Sequence, residues 1–497
     1  MSSNRNLLVV GLMAVVVTGC MSRQNSAQPP EFPQGGLVAR GTPPPNPWSL
    51  QNALEGVYDT SSRFGNTVIV HGSQWGGVHA GMESSVSILA GEHAGFAIMQ
   101  PACLYDRSGE SPVVRLVLEG YWRYLDDPEP KPSTTGLIRL FVGPPEIVDY
   151  VCSAPAWESF DLPGDPRPAP SVRPLIEGST GNGQDSPGLP LSLSWVKPRK
   201  SKLNAEGYQT FFVGVHHGAC QSTENCGISE NTPETSILAT KMGADYLEID
   251  IHLTKDKIPV FFHLGLNPSS VSGIYCTGAI EDFTYAELLA NCRLRNGEII
   301  PRVDDMLEYV FTRTSFPTYL DSKSTDIIQP VSAILGRLQN DLVPCNPPPP
   351  EATPGLPWPP PGKKCLYPGS RPVWERGVIG LPSADYVTTY QQLLAAGQLA
   401  PNQHCLVEEN ISDVTATPCV AWMPRYTRGP MRSDVLSLQQ QGYFVGFWTI
   451  NDPATMDAFL TQAIPNGFLT NFLGLANQRF EVVGTAPLYT PYKVATP

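Results

Sequence analysis

Between Pro47 and Ser194 the chain carries short apolar runs, NTVIVHG, SSVSILAG, GFAIMQ, VVRLVLEGYWRYL, GLIRLFVG and EIVDYVCS, separated by clusters of Gly, Pro and Ser. Runs of this length between turn residues predict β-strands, and no helical period interrupts them, so 47–194 is expected to form an all-β, sandwich-like accessory domain. Tyr121, Trp122 and Tyr124 lie in one run, and strand aromatics of this kind more often serve a core than stack on a sugar. The stretches GDPRPAPSVRP and GSTGNGQDSPGLP read as the route out of this domain, with 195–209 as a linker.

From Thr210 the pattern changes to alternating strand and helix. TFFVGVHHG reads as a strand, and TPETSILATKMG as a helix with Pro233 in its first turn and Gly243 as its stop. The strands ADYLEIDIH and IPVFFHL follow, and FTYAELLANC opens with Thr284 and Glu287 at capping-box spacing. Later strands are PTYLDSK, a weaker GVIGLP, CVAWMPRY, YFVGFWTIN and NGFLTNF, with helical stretches between several of them. Repeated βα units of this size predict a parallel sheet, and about eight of them predict a closed (β/α)8 TIM-like barrel over 210–484. The stretch 345–365, CNPPPPEATPGLPWPPPGKKC, is an insertion, because its prolines lack the donors a helix or strand needs. A tail, 485–497, closes the chain.

The first twenty residues, MSSNRNLLVVGLMAVVVTGC, hold an apolar stretch too short to span a bilayer, which predicts a cleaved signal over 1–20. Its end resembles the lipobox of bacterial lipoproteins, which implies acylation at Cys20 and an anchor on the membrane of a bacterial cell envelope. Residues 21–46 have the Pro, Gly and Ser content of a tether. Export changes how the other cysteines are read: without Cys20, ten of the eleven remain, and even parity in an oxidising compartment favours disulfides. Sequence neighbours suggest Cys103 with Cys152, Cys345 with Cys365 and Cys405 with Cys419. A formal charge of -13 argues against nucleic acid as a partner.

In YLEIDIH, alternation places Glu248, Asp250 and His252 on one strand face, opposite Leu247, Ile249 and Ile251. Adjacent carboxylates repel, and burying both is costly without a cation; hard divalent ions prefer such oxygens. An isolated pair of this kind is most often a solvated strand face. Here, however, His216 ends the first strand, His263 the third, and Asp321 with Lys323 the fourth, and strand ends converge on one face of a βα barrel. Two histidines flanking a carboxylate pair read as acid and base.

With HHG at His216, SENT at Ser229, then GADYLEID, TKDK and FFHL in order, and VGFWTINDPATMDAFLTQAIPNGFLTN near the end, residues 210–480 resemble the glycerophosphodiester phosphodiesterases. The resemblance implies that Glu248, Asp250 and Asp321 hold a divalent metal, Mg2+ or Ca2+. It makes His216 and His263 the acid and base, sets His217 and Lys323 against the phosphate, and places Trp448 at the glycerol pocket. It also implies that the glycerol's neighbouring hydroxyl attacks first, giving a cyclic phosphate that water then opens. Three residues depart from the family pattern: His217 stands for an arginine, Leu264 for an aspartate, and Asp321 for a glutamate, the last resembling sphingomyelinase D enzymes.

The expected activity is metal-dependent hydrolysis of a small glycerophosphodiester outside the cytoplasm. A phospholipase D-like action on lysophospholipids or sphingolipids is one alternative, and a non-catalytic phosphate- or glycan-binding lipoprotein another. Deleting 47–194 is expected to leave turnover of soluble substrates intact.

Overall fold

The computed structural model describes residues 37–38, 45–77, 81–106, 113–126, 133–155, 165–181, 188–219, 229–263, 265–345 and 359–491. Expectations for Cys20 and the signal segment, most of the tether, Cys220, Cys226, Leu264, the middle of the Pro-rich insertion and 492–497 lie outside the described residues.

The first all-β region consists of β1 (Gly56–Ser62), β2 (Gly65–Gly77), β3 (Gly81–Ala90), β4 (Phe96–Asp106), β5 (Val113–Arg123), β6 (Thr135–Gly143), β7 (Leu175–Thr180) and β8 (Leu189–Lys197). Each pairs antiparallel with the next, and β8 returns to β1, with Trp195 opposite Tyr58. The expected sandwich is therefore a closed up-and-down barrel. Its pairings run long, from Val68–Ala90 to Gly77–Gly81 between β2 and β3 and from Phe96–Arg123 to Asp106–Val113 between β4 and β5. A twisted sheet with such registers coils until its edges meet, and strand spacing alone does not distinguish that outcome from two stacked sheets.

Alternate residues, among them Val68, Val70, Val86, Ile88, Leu116 and Leu118, fill the interior. The helix Pro47–Leu54 packs into the same core. So does Pro145–Cys152, a helix where the sequence pattern predicts a strand; Ile147, Val148 and Val151 lie on one helical face, a spacing hidden in so short a run. Trp122 belongs to this core, its Nε1 donating to the Gly181 carbonyl at 2.6 Å.

The second region contains eight parallel strands: β9 (Phe212–Val215), β10 (Tyr246–Leu253), β11 (Thr318–Ser322), β12 (Gly377–Leu381), β13 (His404–Val407), β14 (Ala421–Trp422), β15 (Phe444–Phe447) and β16 (Gly467–Thr470). Pairing of β16 with β9 closes the expected TIM barrel. One expected member is different. Pro259–Phe261 runs antiparallel to β10, with Phe261 opposite Ile251, so Asp321 lies on the third parallel strand and not the fourth. The connection Thr254 to Ile258 is too short for the crossover a parallel partner needs.

Cys103–Cys152, Cys345–Cys365 and Cys405–Cys419 are bonded, as their neighbour spacing suggested, and Cys276–Cys292 is a fourth bond. The two barrels share one apolar core: Ile69, Leu89, Phe96 and Ile98 from the first pack with Ala239, Met242, Leu475 and Phe480 from the second.

Candidate active site

Strand β10 is the longest of the parallel set, and its alternation sends Leu247, Ile249 and Ile251 into the apolar layer under the helices. Glu248 and Asp250 take the opposite face, and both are buried. On β11, Tyr319 is in register with Glu248 and Asp321 with Asp250. Oxygens of Glu248, Asp250 and Asp321 thereby come within 4.8 Å of one another. His252, on the same face, instead meets Glu281 at 2.8 Å and the His263 carbonyl at 3.3 Å, away from this cluster.

His216 directly follows β9, and its Nδ1 lies 3.0 Å from Asn471 Oδ1, just beyond β16. The backbone turns at His217, whose φ of 53° lies in the left-handed region and whose amide donates to Glu248 Oε2 at 2.8 Å. Its ring sits between the other two histidines, with centroids 3.7 Å from His216 and 3.8 Å from His263. His263 arrives by the antiparallel return: the Phe262 amide donates to the Asp250 carbonyl at 3.1 Å, which brings the next residue back to the carboxylates.

The sequence expectation set His217 against the phosphate, but its ring nitrogens face protein carboxylates, Glu230 Oε2 at 3.2 Å and Asp250 Oδ2 at 3.5 Å. Lys323 is anchored by its amide to the Ile251 carbonyl, and its ammonium bridges Asp250 Oδ1, at 2.6 Å, and Asp321. Trp448 follows β15 and borders a cleft of about 280 Å³ together with Asp321, Lys323 and Glu408.

Sequence reasoning did not single out four other participants. Glu230 and Asn231 precede the helix Pro233–Lys241, and Asn231 meets Asp250 twice, donating to Oδ2 at 3.1 Å and accepting from its amide at 3.2 Å. Asn471 orients His216, and Glu408, at the end of β13, accepts from the Tyr319 hydroxyl. The ENT triplet contained the first two, and an acid closing the apolar run CLVE was the signal for Glu408.

Charge explains the behaviour of each group. Four carboxylates, Glu230, Glu248, Asp250 and Asp321, face two internal cations, His217 and Lys323. Burial alone would lower His217, but Asp250, Glu230 and Glu248 outweigh it and push the ring up to about 9. Asp250 is held near about 2, against burial, by His217 and Lys323. Glu248 is driven well above the usual carboxylate range by burial and by Asp250, and Asp321 is raised by burial and Asp250 against the pull of Lys323. Burial, with His217 beside them, brings His216 down to about 3 and His263 down to about 4.

With all four acids ionised, as a bound cation would favour, they outnumber the two internal cations by the charge of one divalent ion, and Asp321 Oδ1 is buried with no hydrogen-bond partner among the described residues. Three convergent carboxylates with a spare oxygen fit a hard cation such as Mg2+ or Ca2+.

Residues 216–329 match the model of the glycerophosphoryl diester phosphodiesterase family. The matched segment runs from His216 past Lys323, so the recognition made from the motifs holds there, and with it the enzyme class, a phosphoric diester hydrolase. Among solved structures, a glycerophosphodiester phosphodiesterase from Parabacteroides distasonis is 17% identical, covering 56% of this chain and 98% of its own, with a TM-score of 0.40. One from Agrobacterium tumefaciens is 17% identical, with coverages of 54% and 99% and a TM-score of 0.39. A phosphodiesterase from Oleispira antarctica, in complex with the product sn-glycerol-3-phosphate, is 16% identical over 54% of this chain and 96% of its own, with a TM-score of 0.39.

Proposed function

We propose that this chain, with the glycerophosphoryl diester phosphodiesterase signature over 216–329, hydrolyses small glycerophosphodiesters to glycerol phosphate and an alcohol. The observation that carries the reading is the convergence of Glu248, Asp250 and Asp321, with the His216, His217 and His263 rings stacked beside them. Glu248, Asp250 and Asp321 would hold the divalent cation, which when bound supplies charge stabilisation for the nonbridging phosphate oxygens.

In the His216 tautomer that donates Nδ1–H to Asn471 Oδ1, Nε2 is left free to accept a proton. One imidazole of the His216–His263 pair takes the proton of the attacking hydroxyl as its oxygen bonds to phosphorus. The other gives a proton to the leaving oxygen as its P–O bond breaks, and water then opens the resulting cyclic phosphate to glycerol phosphate with the two rings exchanging roles. That second ring acquires its proton when the phosphate arrives, because a nearby anion raises an imidazole's pKa. His217 acts on the carboxylates and not on the substrate: its fixed charge holds Glu230 and Asp250 in place. Lys323, bridging Asp250 and Asp321, presents the remaining cation to the phosphate.

The same proposal places the protein in a bacterial envelope, lipid-anchored at Cys20. Four described disulfides support an oxidising compartment. No described helix is long and apolar enough to cross a membrane.

Chelation of the purified protein is expected to abolish release of glycerol phosphate from glycerophosphodiesters, with Mg2+ or Ca2+ restoring it. His216→Ala and His263→Ala are each expected to lower turnover by about 10²–10⁴-fold, the usual share of acid-base catalysis. Calorimetric titration should show divalent affinity little changed in either variant. Full turnover in both would rule out the assigned acid-base pair.

A further inference from the structure

The cleft beside Lys323 carries two guanidinium groups that the chemistry above does not use. Arg425 and Arg428 line it from the segment after β14, with Tyr386, Glu409 and Trp448 on the remaining walls. Arg425 is held in position by its backbone: it bridges to Trp448, and the Tyr426 amide donates to the Trp448 carbonyl at 3.0 Å. Its guanidinium lies over the Trp448 ring at 4.6 Å from the centroid and makes no hydrogen bond among the described residues. Arg428 spends one nitrogen on the Glu409 carbonyl and leaves the rest of its fork exposed.

The acids of the cleft are more committed. Asp321 pairs with Lys323, and Glu408, buried, accepts from Tyr319. Glu409 also lines the cleft and is exposed, and it is its backbone carbonyl that receives Arg428. A quaternary ammonium group would seek an aromatic face, and here the face of Trp448 already carries a cation. A second phosphate would find planar donor forks suited to its oxygens.

Resting on the hydrolase reading above, we propose that the preferred substrate carries a second anionic group, of the phosphate-monoester kind, on the alcohol substituent, which reaches past the glycerol at Trp448 to the arginine side of this cleft, and that Arg425 and Arg428 select for it. Neutral polyols bind less well and cationic head groups least.

The test compares three soluble diesters at low salt: glycerophosphocholine, glycerophosphoglycerol, and glycerophosphoglycerol bearing a terminal phosphate monoester. The expected order of kcat/KM puts the phosphorylated diester first, about tenfold above the choline diester, with the gap narrowing as salt screens the arginines. In Arg425→Gln/Arg428→Gln the ratio between phosphorylated and unphosphorylated glycerophosphoglycerol should collapse toward unity, and Arg425→Glu should shift preference to the choline diester. Both arginines are exposed, and circular dichroism checks that the variants fold. Turnover with the choline diester favoured, or a ratio unchanged in the double variant, overturns the selectivity and leaves the hydrolase reading standing. No turnover of any of the three by the metal-loaded wild-type protein overturns that reading and the selectivity with it.

Discussion

At the scale of single residues, His217 shows how burial redirects a side chain's role. In the family pattern an arginine stands here; a buried imidazole between two carboxylates reaches the same charge only because Asp250 and Glu230 keep it protonated. Removing that charge leaves Glu230 and Asp250 short of a partner. His217→Gln is therefore expected to destabilise the protein by about 3–5 kcal/mol, the usual cost of breaking a buried ion pair, as read by urea unfolding. A loss near zero would mean that the ring is neutral in place. The residues that converge here were legible in the sequence as types at strand ends. Their pairings were not, because the partner of His217 depends on which loop crosses the barrel mouth.

Among the elements, the helix Val303–Arg313 depends on a side chain far along the chain. Arg376 is fully buried without a carboxylate partner among the described residues, and its guanidinium donates to the carbonyls of Phe311, Thr314 and Phe316 at 2.9, 2.7 and 3.0 Å. These lie at and just beyond the helix's carboxyl end, where free carbonyls and the helix dipole both favour a cation. Truncation by Arg376→Ala orphans several buried acceptors at once, so an expected loss of at least about 3 kcal/mol follows from the cost of each unmet group. Hydrogen exchange should show it first as faster opening of 303–316, the segment that leads into the strand bearing Asp321. Equal protection in variant and wild type would contradict the capping role.

For the whole molecule, the contact between the barrels decides more than the linker composition suggested. Arg199 joins Glu55 at 3.0 Å to Asn477 at 3.0 Å, and Glu481 receives the Lys200 amide at 2.9 Å. Beside them lies the shared apolar core. Excising 47–194 would expose Met242, Leu475 and Phe480, so a chain beginning near Arg199 is expected to aggregate or melt well below the intact protein, contrary to the sequence expectation that turnover survives the deletion. Light scattering and a thermal melt of the truncated protein check this. Glu55 makes the junction sensitive to acid: against burial, His71 and Arg199 bring its carboxyl from 4.5 down to about 2. A carboxyl depressed in the folded state stabilises above its unfolded pKa and loses that contribution as pH falls through the folded one. The junction should therefore lose roughly 3 kcal/mol between about pH 4.5 and pH 2. Glu55→Gln should flatten that part of the urea stability profile, and an unchanged slope would remove Glu55 from the account.

Local spacing was enough for the sequence by itself to determine most of the strand and helix runs, though not the helices Pro47–Leu54 and Pro145–Cys152, and with them the acid pair on one face of YLEIDIH and three of the cysteine pairings. Each depends on residues close in the chain. Only the tertiary structure decided that the first sheet closes on itself, that His263 returns antiparallel to meet Asp250, and that Arg425 lies over Trp448. Those outcomes depend on which distant strands share hydrogen bonds and which charges are buried together, and no short window of sequence contains either.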